Sequence, residues 1–313
     1  MTVIGVDIGG TSIKGAAIND SGKILDYFSL PMDRSLAPEE SFKKMCDVIS
    51  EFLKLHQFND KVVGIGLGVP GILDRENGII KSSPNMPKWI NFPIVEFVQK
   101  RLDLPVKIVN DASAAALGEA RFGAGKKYNN MIMITLGTGV GGGIIINKKL
   151  YDGLGSTGAQ LGHALLKMNG RLCSCGRKGC LEAYASATAL IKDTLKAKKR
   201  HPESVLNKFD KIDAKSAFDA ERMGDKVGHQ LVNNYVMYLS EGLLSYCNIF
   251  RPDIFVLSGG VANEGDYLIS RIKQYMDKYH YGYTNAPIIP IELASLGYDS
   301  GKIGAASLFM YDD

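Results

Sequence analysis

Two stretches of this chain run as a strand, break at a cluster of glycines and resume as a second strand. They are "VIGVDIGGTSIKG" at 3–15 and "MIMITLGTGVGGGIII" at 131–146. A tight hairpin needs one or two glycines. The second stretch places five among the nine residues 135–143. Glycines let successive backbone N–H groups approach phosphate oxygens with no Cβ in the way. The pair therefore predicts phosphate-binding turns at equivalent places in two related halves. Neither is a Walker A loop, because no Gly-Lys-Ser/Thr follows. Neither is a dinucleotide fingerprint, because the segment after the turn is a strand rather than a helix. Taken alone, the first stretch is equally compatible with a plain hairpin.

The rest of the chain alternates between strand and helix. Val3, Ile4 and Val6 lead into the first turn, "SIKGAAIN" is extended, and "SGK" makes the next turn. Phe42, Met45, Val48, Ile49, Phe52 and Leu53 recur at helical spacing and predict a helix over 38–57. "VVGIGLGV" (62–69) reads as a buried strand ended by Pro70-Gly71, and 105–125 as a strand turning into a small-residue helix near Asp111. Residues 217–250 read as one long helix with the stripe Val232, Val236, Leu239 and Leu243. "DIFVLSGGVAN" (253–263) is a strand feeding a third glycine turn, followed by helix. The expectation is two related α/β domains with a cleft between them. The first spans 1–117 with the final helix, 300–313, packing back onto it. The second spans 118–313, with the hinge near 112–122.

Composition excludes several classes. Hydrophobic residues make up 45% and charged residues 22%, enough for an ordinary core. Net charge is +4, and the densest basic cluster, "KAKKR" at 196–200, reads as a solvated helix end, so no nucleic-acid partner is expected. No apolar run approaches ~18 residues, so no membrane partner is expected either. No leader-like segment precedes the first strand. Cys46 and Cys247 are isolated and read as buried, unlike the dense, paired cysteines of a secreted scaffold. A cytoplasmic location is expected.

Several residues are suited to chemistry. Asp7 ends a strand beside Gly9, Gly10 and Thr11, where a carboxylate can hold Mg²⁺ through water. In the third turn, Gly259 and Gly260 let a nucleoside lie close to backbone. Asn110 and Asp111 stand where a strand meets a helix. Asp111 there reads as a helix N-cap, as a general base toward a substrate hydroxyl, or as both. His163, Cys173, Cys175 and Cys180 follow the spacing His-x9-Cys-x-Cys-x4-Cys. Three thiolates and an imidazole form the closed tetrahedral set of a structural Zn²⁺ site. A redox switch or buried free thiols are the other readings. Such a site pins the loop bearing Gln160 and His163 to the helix bearing Glu182.

Together these residues resemble the ROK family (repressor, open reading frame, kinase) of the hexokinase–actin–heat-shock ATPase superfamily. "DIGGTSIKG" and "GTGVGGG" match its two phosphate motifs, and "CSCGRKGCLE" matches its zinc signature. "VNDASAAALGEA", "VPGILD" and "SPNMPKW" match further stretches, so the likeness runs through nearly the whole chain. It implies two actin-like ATPase (ribonuclease H-like) domains with an active-site cleft between them. It implies ATP-dependent phosphorylation of a hexose 6-hydroxyl, with glucose first among substrates. Asp111 is then the catalytic base. Asn85, Asn110, Asp111, Gln160, His163 and Glu182 contact the sugar, His163 through the nitrogen that is not on zinc. Asp7, Gly9, Gly10, Thr11, Lys14, Gly137, Thr138 and Gly139 surround the phosphates and Mg²⁺. Gly259 and Gly260 lie near the nucleoside, and the protein is a homodimer.

Two positions depart from the family pattern. Gln160 stands where the family has Glu before Gly-His, and Ser113 stands where Asn is usual. A carboxylate only accepts hydrogen bonds, whereas a primary amide also donates. Gln160 therefore opens the substrate to N-acetylhexosamines, mannose or glycosides. It is also the one hint of a weakly catalytic sugar-binding regulator. The family's repressors carry a DNA-binding segment ahead of the first motif. Six residues precede Asp7, so no such module is expected.

Overall fold

A computed structural model describes residues 1–56, 62–83, 86–281 and 285–311. The first part of the chain forms β1 (Thr2–Ile8), β2 (Ser12–Asn19), β3 (Ile24–Pro31), α1 (Pro38–Leu55), β4 (Val62–Val69), β5 (Ile72–Asp74), β6 (Ile79–Ser82), β7 (Ile90–Phe92), α2 (Ile94–Leu102), β8 (Val106–Asn110) and α3 (Asp111–Phe122). The rest forms β9 (Met131–Leu136), β10 (Val140–Ile146), β11 (Lys149–Tyr151), α4 (Glu182–Ala185), α5 (Ala187–Arg200), α6 (Ser216–Arg222), α7 (Lys226–Phe250), β12 (Ile254–Ser258), α8 (Asp266–Tyr279), β13 (Ile291–Leu293) and α9 (Ser300–Ser307). The helix expected over 38–57 closes at Leu55; Gln57 lies outside the described residues, as do Asp312 and Asp313 of the final segment. Two compact units result: Met1–Met131 with Gly143–Ala159 and Ala294–Asp313, and Ile132–Gly142 with Gln160–Leu293.

The first unit is built on a sheet of order β3-β2-β1-β4-β8. The β1–β2 and β2–β3 pairs are antiparallel, and β1, β4 and β8 run parallel. Side chains of a strand alternate between faces, and β1 uses both. Ile4, Val6 and Ile8 join Phe42, Met45 and Ile49 of α1 in one fully buried cluster, while Val3 packs with Ile303 and Ala306 of α9 in another. Each such side chain stabilises the fold by about 1.5–3 kcal/mol through burial. α9 lies close on α3: a Cβ at Gly304 would collide with the Ala114 carbonyl. A small sheet, β5-β6-β7, completes this unit, and buried Trp89 packs 4.7 Å from the Phe42 ring.

The second sheet has the order β11-β10-β9-β12-β13, with β12 and β13 parallel. In the second unit α7 buries Val232, Val236, Leu239 and Leu243, the stripe expected from the sequence. The single helix expected over 217–250 is two. Gly224 adopts φ +81° and ends the first, and Asp225 caps the next by accepting from the N–H groups of Val227 and Gly228. Apolar periodicity continues across the break and conceals it. Among the described residues no helix is long and apolar enough to cross a membrane.

Candidate active site

In the first unit the β-sheet register brings the candidate acids together. Asp7 pairs with Gly68 on β4, and Val69 pairs with Asn110 on β8. Asp7 and Asp111 therefore both stand at the carboxyl ends of parallel strands that flank β4, the usual ligand edge of an open α/β sheet. Gly68 lies between them, its Cβ direction 3.8 Å from the Asp111 Cα. Burial, and then the nearby Asp111 charge, push the Asp7 carboxyl up to about 6 against the pull of Lys302 and Lys14. Burial likewise raises Asp111, partly offset by hydrogen bonds from the N–H groups of Ala112 and Asp111 and from the Asn110 side chain.

The helix cap is not Asp111. Asn110 fills that role: its Oδ1 accepts from the N–H groups of Ala112 (3.1 Å) and Ser113 (3.4 Å), and its Nδ2 donates to the Gly71 carbonyl (3.2 Å). The Asn110 side chain also bonds the Asp111 carboxylate. Asp111 is the first helical residue, and its Oδ1 accepts from Ala112 N–H (2.9 Å).

The first glycine turn closes β1 onto β2, with Gly9 N–H donating to the Ser12 carbonyl (2.9 Å). The Thr11 carbonyl accepts from Met32 N–H (3.0 Å), and the Gly10 carbonyl accepts from the Arg34 guanidinium. Lys14 is exposed and cross-strand from Asp7, its ammonium 5.8 Å from the Tyr298 ring. Asn85 lies outside the described residues.

The second unit holds the other candidates. Gly137, Thr138 and Gly139 form the turn between β9 and β10, where Gly137 N–H donates to the Gly139 carbonyl (3.0 Å). Gly259, at φ +92°, packs so tightly on Leu136 that a Cβ would lie 2.6 Å from its carbonyl oxygen. This close approach sets the third turn against the second. A Cβ at Gly137 or Gly260 meets nothing within 4 Å among the described residues, so packing does not require glycine at either place.

His163, Cys173, Cys175 and Cys180 converge, their ligand atoms all within 4.8 Å of one another. Cys175 and Cys180 sulfurs are 3.7 Å apart, and Cys173 sulfur is 3.7 Å from His163 Nδ1. A tetrahedral ion with Zn–S bonds of about 2.3 Å needs sulfurs about 3.8 Å apart. Burial and the neighbouring thiols push Cys180 up to about 12, so these sulfurs charge together only with a cation among them. The donor set fits zinc.

Glu182 begins α4 just after the knuckle. Its Oε1 accepts from Ser174 Oγ (2.7 Å) and its Oε2 from Val140 N–H (3.0 Å). Gln160 is exposed and opens the 3₁₀ turn Leu161–His163, its carbonyl accepting from His163 N–H (3.0 Å).

Four residues near these sites escape sequence reading. Lys302 is 3% exposed, bonds Asp299 at 2.7 Å and faces Asp7 electrostatically. Its one signal is a lysine inside the small, apolar run "GKIGAAS". Arg34 and Thr188 carry no motif, and Ser174 stands unremarked inside the cysteine signature.

The ROK family model matches residues 3–311. The chain belongs to the ROK family. Among ROK relatives, the glucokinase of Thermotoga maritima is 34% identical over 98% of this chain and 97% of its own length. The xylose repressor of Bacillus spizizenii is 30% identical, covering 97% of this chain and 76% of the repressor. A ROK glucokinase of Streptomyces griseus, solved with glucose and AMPPNP, superposes with a TM-score of 0.82 at 34% identity, covering 98% of this chain and 99% of that one. The fold is the actin-like ATPase fold that the sequence resemblance implied.

Proposed function

We propose that the protein is an ATP-dependent hexose kinase acting on the sugar 6-hydroxyl, with glucose as first substrate. The observation that carries this reading is the pair Asp7 and Asp111 at the ends of parallel strands, with Asp111 held above the ordinary carboxylate range. The glucokinase names of the relatives support it.

Asp111 takes the 6-hydroxyl proton. The sugar oxygen forms its bond to the γ-phosphorus as the bond to the β,γ-bridging oxygen breaks, and ADP leaves with that electron pair. Asn110 contacts the sugar beside it. His163, Glu182, Gln160 and Asn85 are the further sugar contacts that the family pattern implies. Gly10, Thr11 and Lys14, and Thr138 and Gly139, present donors to phosphate, while Gly9 and Gly137 close the two turns through their own N–H groups. The open space beside Gly137 and Gly260 supports a nucleotide there. Asp7 would hold Mg²⁺ through water, and the ion neutralises charge on the phosphates when bound. His163, Cys173, Cys175 and Cys180 would hold a structural Zn²⁺. The domain reading of 1–117 and 118–313, a homodimer and a cytoplasmic place in carbohydrate metabolism complete the proposal.

The test is ADP release from MgATP across hexoses, N-acetylhexosamines and β-glucosides. Turnover with glucose is expected. Because Gln160 both donates and accepts, preference for an N-acetylated or glycosidic sugar would keep the kinase and change its substrate. No ADP release with any sugar, in protein that still binds sugar, would favour a regulator instead.

A further inference from the structure

The segment that follows the last knuckle cysteine grips the second glycine turn at three points. Val140 N–H donates to Glu182 Oε2 (3.0 Å), Ala187 N–H to the Gly137 carbonyl (2.9 Å), and Thr188 Oγ1 to the Thr138 carbonyl (2.7 Å). In a planar trans peptide the C=O and the following N–H point in opposite directions. Holding the carbonyls of Gly137 and Thr138 therefore aims the N–H groups of Thr138 and Gly139 away from α5. Those are amides of the turn read as a phosphate site. On the knuckle side, Ser174 stands between Cys173 and Cys175 and donates to Glu182 Oε1 (2.7 Å). Glu182 thus has one oxygen on the knuckle and the other on the turn.

We propose that Thr188 and Ser174 are positioning residues for nucleotide binding. Thr188 aims the Gly139 amide. Ser174, through Glu182, fixes the Val140 end of the turn, so the cysteine knuckle governs nucleotide affinity as well as the His163 loop. The proposal rests on the kinase reading of the second glycine turn.

Calorimetric titration with MgAMPPNP, without sugar, tests it on the intact chain. Thr188 is half-buried and valine has nearly its shape, so Thr188→Val removes the hydroxyl at little cost to folding. One lost hydrogen bond of this kind corresponds to about a tenfold weaker affinity. Thr188→Val is expected to bind MgAMPPNP about tenfold more weakly, with KM for ATP raised and KM for sugar unchanged. Thr188→Ser, which keeps the hydroxyl, should return to within about twofold of wild type. Ser174→Ala should weaken MgAMPPNP binding while keeping its full metal content by mass spectrometry. Wild-type affinity in Thr188→Val, or no recovery in Thr188→Ser, overturns the role of Thr188. Wild-type affinity in Ser174→Ala overturns the link from the knuckle. If the unaltered protein binds no MgAMPPNP, the kinase reading falls and takes this proposal with it.

Discussion

A base that must accept a proton near neutral pH works best when its own pKa approaches the working pH. Burial moves Asp111 in that direction. Asp111→Asn keeps the shape and one acceptor but cannot take the proton. Its kcat is expected to fall at least ~10²-fold, with sugar binding by titration retained; near-normal turnover would remove Asp111 from the base role. The pH profile follows from the sign of the shift. The protonated acid is inactive, so kcat falls as pH drops through the raised value, and the acid limb lies above the ordinary Asp value of about 3.9. The effect on folding has the opposite sense. A carboxyl raised in the folded state favours folding fully below its unfolded pKa, and that contribution is lost as pH rises through the folded value. Thermal melts at neutral pH should therefore find Asp111→Asn no less stable than wild type, and a marked drop would mean its charge is compensated by a group not considered.

Among the elements, α7 depends on the residue that caps it. Asp225 Oδ1 accepts from the N–H groups of Val227 (2.7 Å) and Gly228 (3.3 Å), and Oδ2 from Ser204 Oγ (2.6 Å) and Val205 N–H (2.6 Å). Burial alone would raise this carboxyl, but those four bonds outweigh it and hold it below the usual range. Its stabilisation is present above the unfolded pKa and lost as pH falls below it. Asp225→Ala should cost about 2 kcal/mol in chemical denaturation at pH 7, and the gap to wild type should shrink in acid. The same region shows what sequence conceals. Strands, glycine turns and the cysteine spacing were legible because each is a local pattern of residue types. The break at Gly224 was not, because the apolar stripe of α7 runs on past it. The cap of α3 was not legible either: it is Asn110, and its neighbour Asp111 fits a cap equally well on composition. Thr188 holds a turn 50 positions away, and no local pattern records such a partner.

At the scale of the whole chain, long-range ties decide the first unit. Glu119 is fully buried, and its carboxylate accepts from Ala124 N–H (2.9 Å), Ser295 N–H (3.0 Å), Ser295 Oγ (3.2 Å) and Leu296 N–H (2.7 Å). Glu119→Ala strands four donors and should cost about 3 kcal/mol or more, with faster amide exchange at Ala124, Ser295 and Leu296; unchanged exchange there would show the bonds to be dispensable. Removing α9 by truncation before Ser300 uncovers Val3, Ala16 and Ile18 and takes away Lys302 beside Asp7. That truncated chain should lose cooperative unfolding of the first unit, seen as a broadened or absent calorimetric transition; an intact transition would mean α9 is ornamental. The placement of α9 also orders events at the ribosome. Synthesis delivers β1 before the second unit and α9 after it. The sheet that carries both carboxylates thus waits, partly uncovered, through the making of the entire second unit, and its nascent surface is a natural client for chaperones.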